Sequence, residues 1–129
     1  MKNERKSVIE YALSLPNTGA DNPFEGDFDT TVLRHTDTGK WFGIIMNISG
    51  DKVGLSPNIR VDVMNVKCKP EDTFTARELS CGIVPAYHMN KTHWLTVALE
   101  ECDNGTIEWL LGISHDLTKC KKKTRSTRR

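Results

Sequence analysis

The densest run of side chains able to do chemistry is Tyr87-His88-Met89-Asn90-Lys91-Thr92-His93-Trp94. His88, Lys91 and His93 can donate to phosphate oxygens, Asn90 has the side chain that reads a base edge, and Tyr87 and Trp94 offer ring faces for stacking. The same residues also read as a hairpin turn, in which Asn90 accepts left-handed backbone, the rings cover a sheet and the histidines satisfy local backbone groups. Lys67 and Lys69, upstream, add a basic edge. Metal ligation fits less well: His88 and His93 stand five apart, with neither an H-E-x-x-H pattern nor a cysteine pair beside them. No metal site and no cofactor are expected.

Covalent catalysis finds no support in the residue order. There is no G-x-S-x-G elbow and no protease-like cysteine context. Ser114-His115-Asp116 has the letters of a relay, but successive helix positions point about 100° apart, so the three read as a helix surface. The glycines form neither G-x-x-x-x-G-K-[ST] nor G-x-G-x-x-G. Glu71-Asp72 and Glu100-Glu101 fall at element ends, where solvation and helix dipoles account for them. No catalytic residue is assigned, and a non-enzymatic role is expected.

The elements that must position these groups follow from periodicity. Val8, Tyr11, Ala12 and Leu15 share one helical face, and Pro16 with the loop-forming Asn17-Thr18-Gly19 ends it. A structured loop over residues 21–28 is expected to be pinned by Phe24 and Phe28. Thr30 to His35 and Lys40 to Ile48 form a hairpin around Thr36-Asp37-Thr38-Gly39, with Trp41, Gly43, Ile45 and Asn47 on one face and Phe42, Ile44, Met46 and Ile48 on the other. Ile59 to Cys68 reads as a long strand whose first part has an apolar face, and Pro70 opens a helix ending near Gly82. Ile83 to Tyr87 and His93 to Leu99 are short strands. A last helix after Asp103-Asn104-Gly105 stacks Ile107, Leu110, Leu111 and Ser114, with Trp109, Ile113 and Leu117 alongside. This order predicts an α+β fold, a mostly antiparallel sheet with helices on one face.

The length of 129 residues suits one domain. Apolar residues at 37% and charged residues at 27% allow a core, and no run is long enough to span a membrane. The net charge of +1 conceals an asymmetry: Lys119 to Arg129 holds seven basic residues and no acid. The remainder has eleven basic against seventeen acidic residues, a formal charge of −6. Residues 1–118 are therefore expected to form the domain and 119–129 a basic, disordered tail that either neutralises phosphates without reading sequence or serves solubility. The polar, mixed-charge start carries no secretion signal, and Cys68, Cys81, Cys102 and Cys120 are widely spaced, which points to reduced thiols in a cytoplasm. Cys68 reads as core, and Cys102 and Cys120 as surface thiols in polar surroundings.

Pro85 to Val97, with Tyr87-His88-Met89-Asn90-Lys91-Thr92-His93-Trp94 at its centre, resembles the signature of the MmcQ/YjbR family of small bacterial proteins. Tyr11-Ala12-Leu13-Ser14-Leu15-Pro16, Pro23-Phe24, Gly39-Lys40-Trp41-Phe42, Val66-Lys67-Cys68-Lys69-Pro70-Glu71 and Ser114-His115-Asp116-Leu117 are similar to further segments of that family. The departures are Leu95, where Asn is frequent, and His115, where Tyr is commoner. The resemblance implies a two-layer α+β fold, CyaY-like or secretion-chaperone-like, and a DNA-binding role through a double-wing arrangement. Two partners are thus expected in order. DNA comes first, met by His88, Asn90, Lys91, His93, Lys67 and Lys69 with help from the tail. The alternative is a protein partner on the sheet edge or on the Trp41 and Trp94 surface, and no membrane or oligomer is implied.

Overall fold

The computed structural model describes residues 5–24, 26, 29–79, 82–87 and 89–119. Helix α1 spans Arg5–Leu13 and buries Val8 and Ala12, with Tyr11 and Leu15 packed beside them, the face its spacing predicts. After Pro16 the chain reverses through Asn17, whose φ of 55° is left-handed. It then enters strand β1 (Thr18–Asp21), which corrects the loop expected there. Four small or polar residues have no alternation to read, and backbone pairing with β2 (Thr31–His35) makes them an edge strand.

β2 returns as β3 (Trp41–Ser49) through a turn in which Gly39 has a φ of 80°. A 3-10 turn at Gly50–Val53 leads to β4 (Arg60–Lys67), and α2 (Pro70–Leu79) carries Glu71 and Asp72 in its first turn. β5 (Ile83–Pro85) and β6 (Trp94–Ala98) follow, and then a 3-10 turn at Leu99–Glu101. Last is α3 (Asn104–Thr118), capped by Asp103, whose carboxylate accepts from the Thr106 amide at 3.1 Å. The hydrogen bonds to Thr106 hold the Asp103 carboxyl below the usual carboxylate range.

The six strands form one antiparallel sheet in the order β1-β2-β3-β4-β6-β5. All three helices contribute to the core on one side: Val8 and Ala12, Ala76, and Ile107, Leu110 and Leu111 meet Leu33, Phe42, Ile45, Met64, Val66, Leu95 and Val97. This is the expected α+β, two-layer arrangement. The other side holds a smaller cluster of Ile48, Val53, Val63 and Ala98, to which, among the described residues, no α-helix contributes. Among the described residues no helix is long and apolar enough to cross a membrane.

Three local expectations change. A β-bulge between Leu33 and Arg34 on one strand and Trp41 and Gly43 on the other leaves Phe42 as the extra residue. The alternation therefore slips, so that Phe42 joins Ile45 under the helices while Trp41 lines the opposite side with Ile44 and Met46. Cys102, expected at the surface, is 4% exposed and packs in the main core, because the chain turns inward between Glu101 and the α3 cap. Ser114 is wholly buried and not on a helix surface. Phe24, expected to pin its loop, stays exposed and meets Trp41 edge to plane at 5.9 Å. Phe28, Cys81 and Cys120 lie outside the described residues.

Candidate functional site

The structure gathers five of the six sequence-assigned site residues at one end of the sheet. Lys67 closes β4 opposite Trp94, the first residue of β6, and the Cys68 amide donates to the His93 carbonyl at 2.7 Å. Lys69 follows, and the turn Asn90 to His93 therefore sits beside the two lysines. Lys69, Lys91 and His93 are exposed and Lys67 half-buried. His88 lies outside the described residues, as do the tail residues from Cys120 on.

Asn90 has a different task from the one its type allows. Its side-chain oxygen accepts from the Thr92 amide at 2.7 Å, and its carbonyl accepts from the amides of His93 and Trp94 at 3.3 and 2.9 Å. It builds the turn as an Asx cap. It does so without left-handed backbone, which among the described non-glycine residues occurs at Asn17. Its side-chain oxygen accepts the one bond from Thr92 and keeps a second lone pair, beside the two Nδ2 hydrogens. The charge presented around it is cationic: Lys67, Lys69 and Lys91 have no ion-pair partner among the described residues. Arg5 and Arg34, by contrast, are matched to Asp62 and Asp21, and Lys119 to Asp116.

Contiguous with this basic end is a groove on the helix-free face, about 370 Å³ in volume. Phe24, Trp41, Ile44, Met46, Tyr87 and Met89 supply its apolar lining, and Thr30 and Asn65 its polar atoms. Trp41 is held in place: the Arg34 guanidinium lies 5.8 Å from the ring centroid and forms a two-point bond to Asp21 at 2.9 and 3.2 Å. The opposite wall is fixed by a buried polar triangle. Asn65 donates to the Tyr87 carbonyl at 2.9 Å, Thr96 donates to the Asn65 oxygen at 2.6 Å, and the Tyr87 amide donates to the Thr96 hydroxyl at 2.7 Å. Asn65 and Thr96 are fully buried, so these bonds stand in for water and anchor the segment that carries Tyr87 and Met89.

The slip that brings Trp41 to this side is secured from the far side of the sheet. β3 and β4 pair as far as Gly43 and Val66, and the next rung would join Phe42 to Lys67. The Ser114 hydroxyl of α3 stands in that rung, donating to the Phe42 carbonyl at 2.5 Å and accepting from the Lys67 amide at 2.8 Å. Its proton is thereby committed, so Ser114 is not an available nucleophile. Sequence reasoning placed Ser114 correctly on the apolar stripe. It had no signal for this backbone role, which depends on a bulge 72 residues away.

A second cavity, about 320 Å³, is lined by Pro16, Asn17, His35, Asp37, His115, Asp116 and Lys119. The rings of His35 and His115 stand 4.5 Å apart. Thr118 donates its hydroxyl proton to the Ser114 carbonyl at 2.8 Å, so it accepts from His35 Nε2 at 2.7 Å, and His115 Nε2 donates to the Pro16 carbonyl at 2.9 Å. Burial, and then the charge of His115, lower the His35 pKa below the ordinary 6.5. Burial, reinforced by Asp72, pushes the Cys68 thiol up, which keeps it protonated.

These features can be set against known proteins. The family model YjbR matches residues 13–117. The chain belongs to the YjbR family. It is 37% identical over 116 residues to the uncharacterised protein YyaQ of Bacillus subtilis, covering 89% of this chain and 98% of YyaQ. It is 31% identical over 93 residues to YbdF of Escherichia coli O157:H7, covering 71% of this chain and 64% of YbdF. A crystal structure of a Pseudomonas syringae protein superposes with a TM-score of 0.84 at 39% identity, covering 91% of this chain and all of that one. A Deinococcus radiodurans protein shares the fold alone, with a TM-score of 0.69 at 23% identity. The YjbR match takes in the groove and the basic turn and stops before Lys119. Leu95, the departure from the family pattern, is fully buried under the helices and has no polar task.

Proposed function

We propose that this chain is a non-enzymatic nucleic-acid-binding module that works from the end of the sheet where β4 and the β5–β6 turn meet. The observation that carries the reading is the convergence of Lys67, Lys69 and Lys91, with no ion-pair partner among the described residues, beside half-buried aromatic rings. Arg5 and Arg34 are matched to acids and Arg60 to Asn47, whereas these three lysines stand together at one end of the sheet with no acid bonded to them among the described residues. Phosphate oxygens are the natural complement, and each contact adds salt-sensitive affinity by releasing counterions. The body carries net negative charge, so attraction is local to this end and falls steeply with salt. A second reading, a protein-interaction adaptor, draws on the apolar lining of the groove.

The test is a titration of the full chain with DNA over a salt series, repeated with Lys69→Ala and Lys91→Ala. Binding that weakens with salt, and a slope reduced by about 1 for each lost phosphate contact, supports the reading. No salt-sensitive binding by the full chain overturns it. Binding unchanged in both variants moves the contact away from this end and overturns the assignment of the surface.

A further inference from the structure

We infer that the groove on the helix-free face is a slot for an unstacked base, and that the nucleic acid this chain takes is single-stranded. The inference rests on the nucleic-acid reading above and specifies its ligand. A duplex turns its bases inward and offers phosphates and groove edges to a protein, so it has nothing to insert into a concave apolar groove. A single strand has free base faces, and aromatic side chains bind them without regard to sequence. The groove's 370 Å³ falls within the range of small-molecule sites, room for a planar ring and its sugar.

Its walls suit a flat ring. Trp41 is oriented by Arg34 and Phe24 before any ligand arrives, and Tyr87 is fixed through both its backbone groups by Asn65 and Thr96. Met46 and Met89 supply polarizable surface that adapts to purine or pyrimidine. The cations lie where the strand's backbone must leave the slot: Met89 lines the groove, and Asn90 and Lys91 follow it directly in the chain, with Lys67 and Lys69 alongside through the Cys68 to His93 bond. Charge points the same way. A duplex carries about one charge per 1.7 Å of axis against about one per 3.4 Å for a single strand. Three lysines flanked by Glu71 and Asp72 on a net acidic body match the lower density.

The test uses the full chain with Trp109→Phe, which removes an exposed indole on α3 and leaves Trp41 and Trp94 as reporters. The probes are labelled oligothymidylate and a labelled duplex of equal length at matched salt. The single strand is expected to bind more tightly and to quench tryptophan emission, and Trp41→Leu to weaken it roughly tenfold while leaving the duplex unchanged. Should Trp41→Leu fail to fold by circular dichroism, Met89→Ala carries the same comparison. Duplex binding as tight as single-strand binding, with no effect of either groove variant but a loss in Lys91→Ala, overturns the slot and leaves the nucleic-acid reading standing. Failure of both probes to bind overturns both and leaves an apolar peptide segment as the groove's occupant.

Discussion

On the helix-covered side of the sheet Leu33, Phe42, Ile45, Met64, Leu95 and Val97 are wholly excluded from solvent. On the other side Trp41, Met46, Tyr87 and Met89 keep part of their surface in water, around a groove of about 370 Å³. Both sides come from the same strands, so the difference lies in what covers them. Three helices close one side completely. Across the sheet, the small cluster around Ile48 and Val63 is closed over, while the stretch from Trp41 to Met89 is left as an aromatic trough beside unmatched lysines. Burial on the first side holds the fold together. Half-burial on the second keeps large rings available, at modest cost to stability, for a ligand that brings its own apolar surface.

Truncation separates the two sides most sharply. Leu111→Ala removes a fully buried side chain between α3 and the sheet and is expected to cost about 2–5 kcal/mol, read as a lowered denaturation midpoint. Met46→Ala, on the half-buried wall, is expected to cost about 1 kcal/mol or less and to show its effect in binding. Equal losses from the two would mean that the open side is as tightly packed as the covered one, and the contrast would fail.

The next prediction concerns the hydroxyl that links the two sides. Ser114→Ala leaves the Phe42 carbonyl and the Lys67 amide without their partner in a dry interior, at about 1–3 kcal/mol for each group left unsatisfied. Because those groups flank the bulge that turns Trp41 outward, tryptophan emission should shift in the folded variant as well. A stable variant with unchanged emission would show that the bulge is set by the strands alone.

Much of the covered side was legible in the sequence, and less of the open side was. Val8, Ala12, Ile107, Leu110 and Leu111 declare themselves at helical spacing because a helix buries one stripe. The basic turn and Lys67 and Lys69 were found as residues, since charge and ring chemistry are visible in isolation. That they lie together follows from the β4–β6 register, a pairing that strand spacing does not specify. Trp41 was assigned to the wrong side because period-two reading assumes an unbroken pleat, and the slip at Phe42 is stabilised by Ser114 from across the sheet. A usable signal was nevertheless present. Phe42, Ile44, Ile45, Met46 and Ile48 put large apolar groups on both faces of one strand, more than a single helix layer can cover. The β1 edge had no such signal, because Thr18 to Asp21 is held by backbone bonds that any sequence can make.

The smallest expected effect uses acid to ask whether the two sides answer independently. His35 is 2% exposed on the covered side, and its folded pKa is lowered below 6.5, first by burial and then by His115, with Asp37 opposing and Lys40 assisting. The unfolded chain therefore takes up this proton at a higher pH than the folded one does. Stability is fully present above about pH 6.5 and is lost as pH falls from there toward the folded value, below which this contribution stays constant. His35→Gln keeps an N–H for Thr118 and cannot titrate, so its denaturation midpoint should fall less than that of the native chain between about pH 7.5 and 5.5. The same loss in both chains would assign the acid sensitivity elsewhere. Since His35 lies on the opposite side of the sheet from the groove, the pH profile of Trp41 and Trp94 emission in the folded protein should be the same in His35→Gln as in the native chain. A pH-dependent emission lost in His35→Gln would mean that the bulge transmits the charge through the sheet, and the two sides would then be one coupled unit.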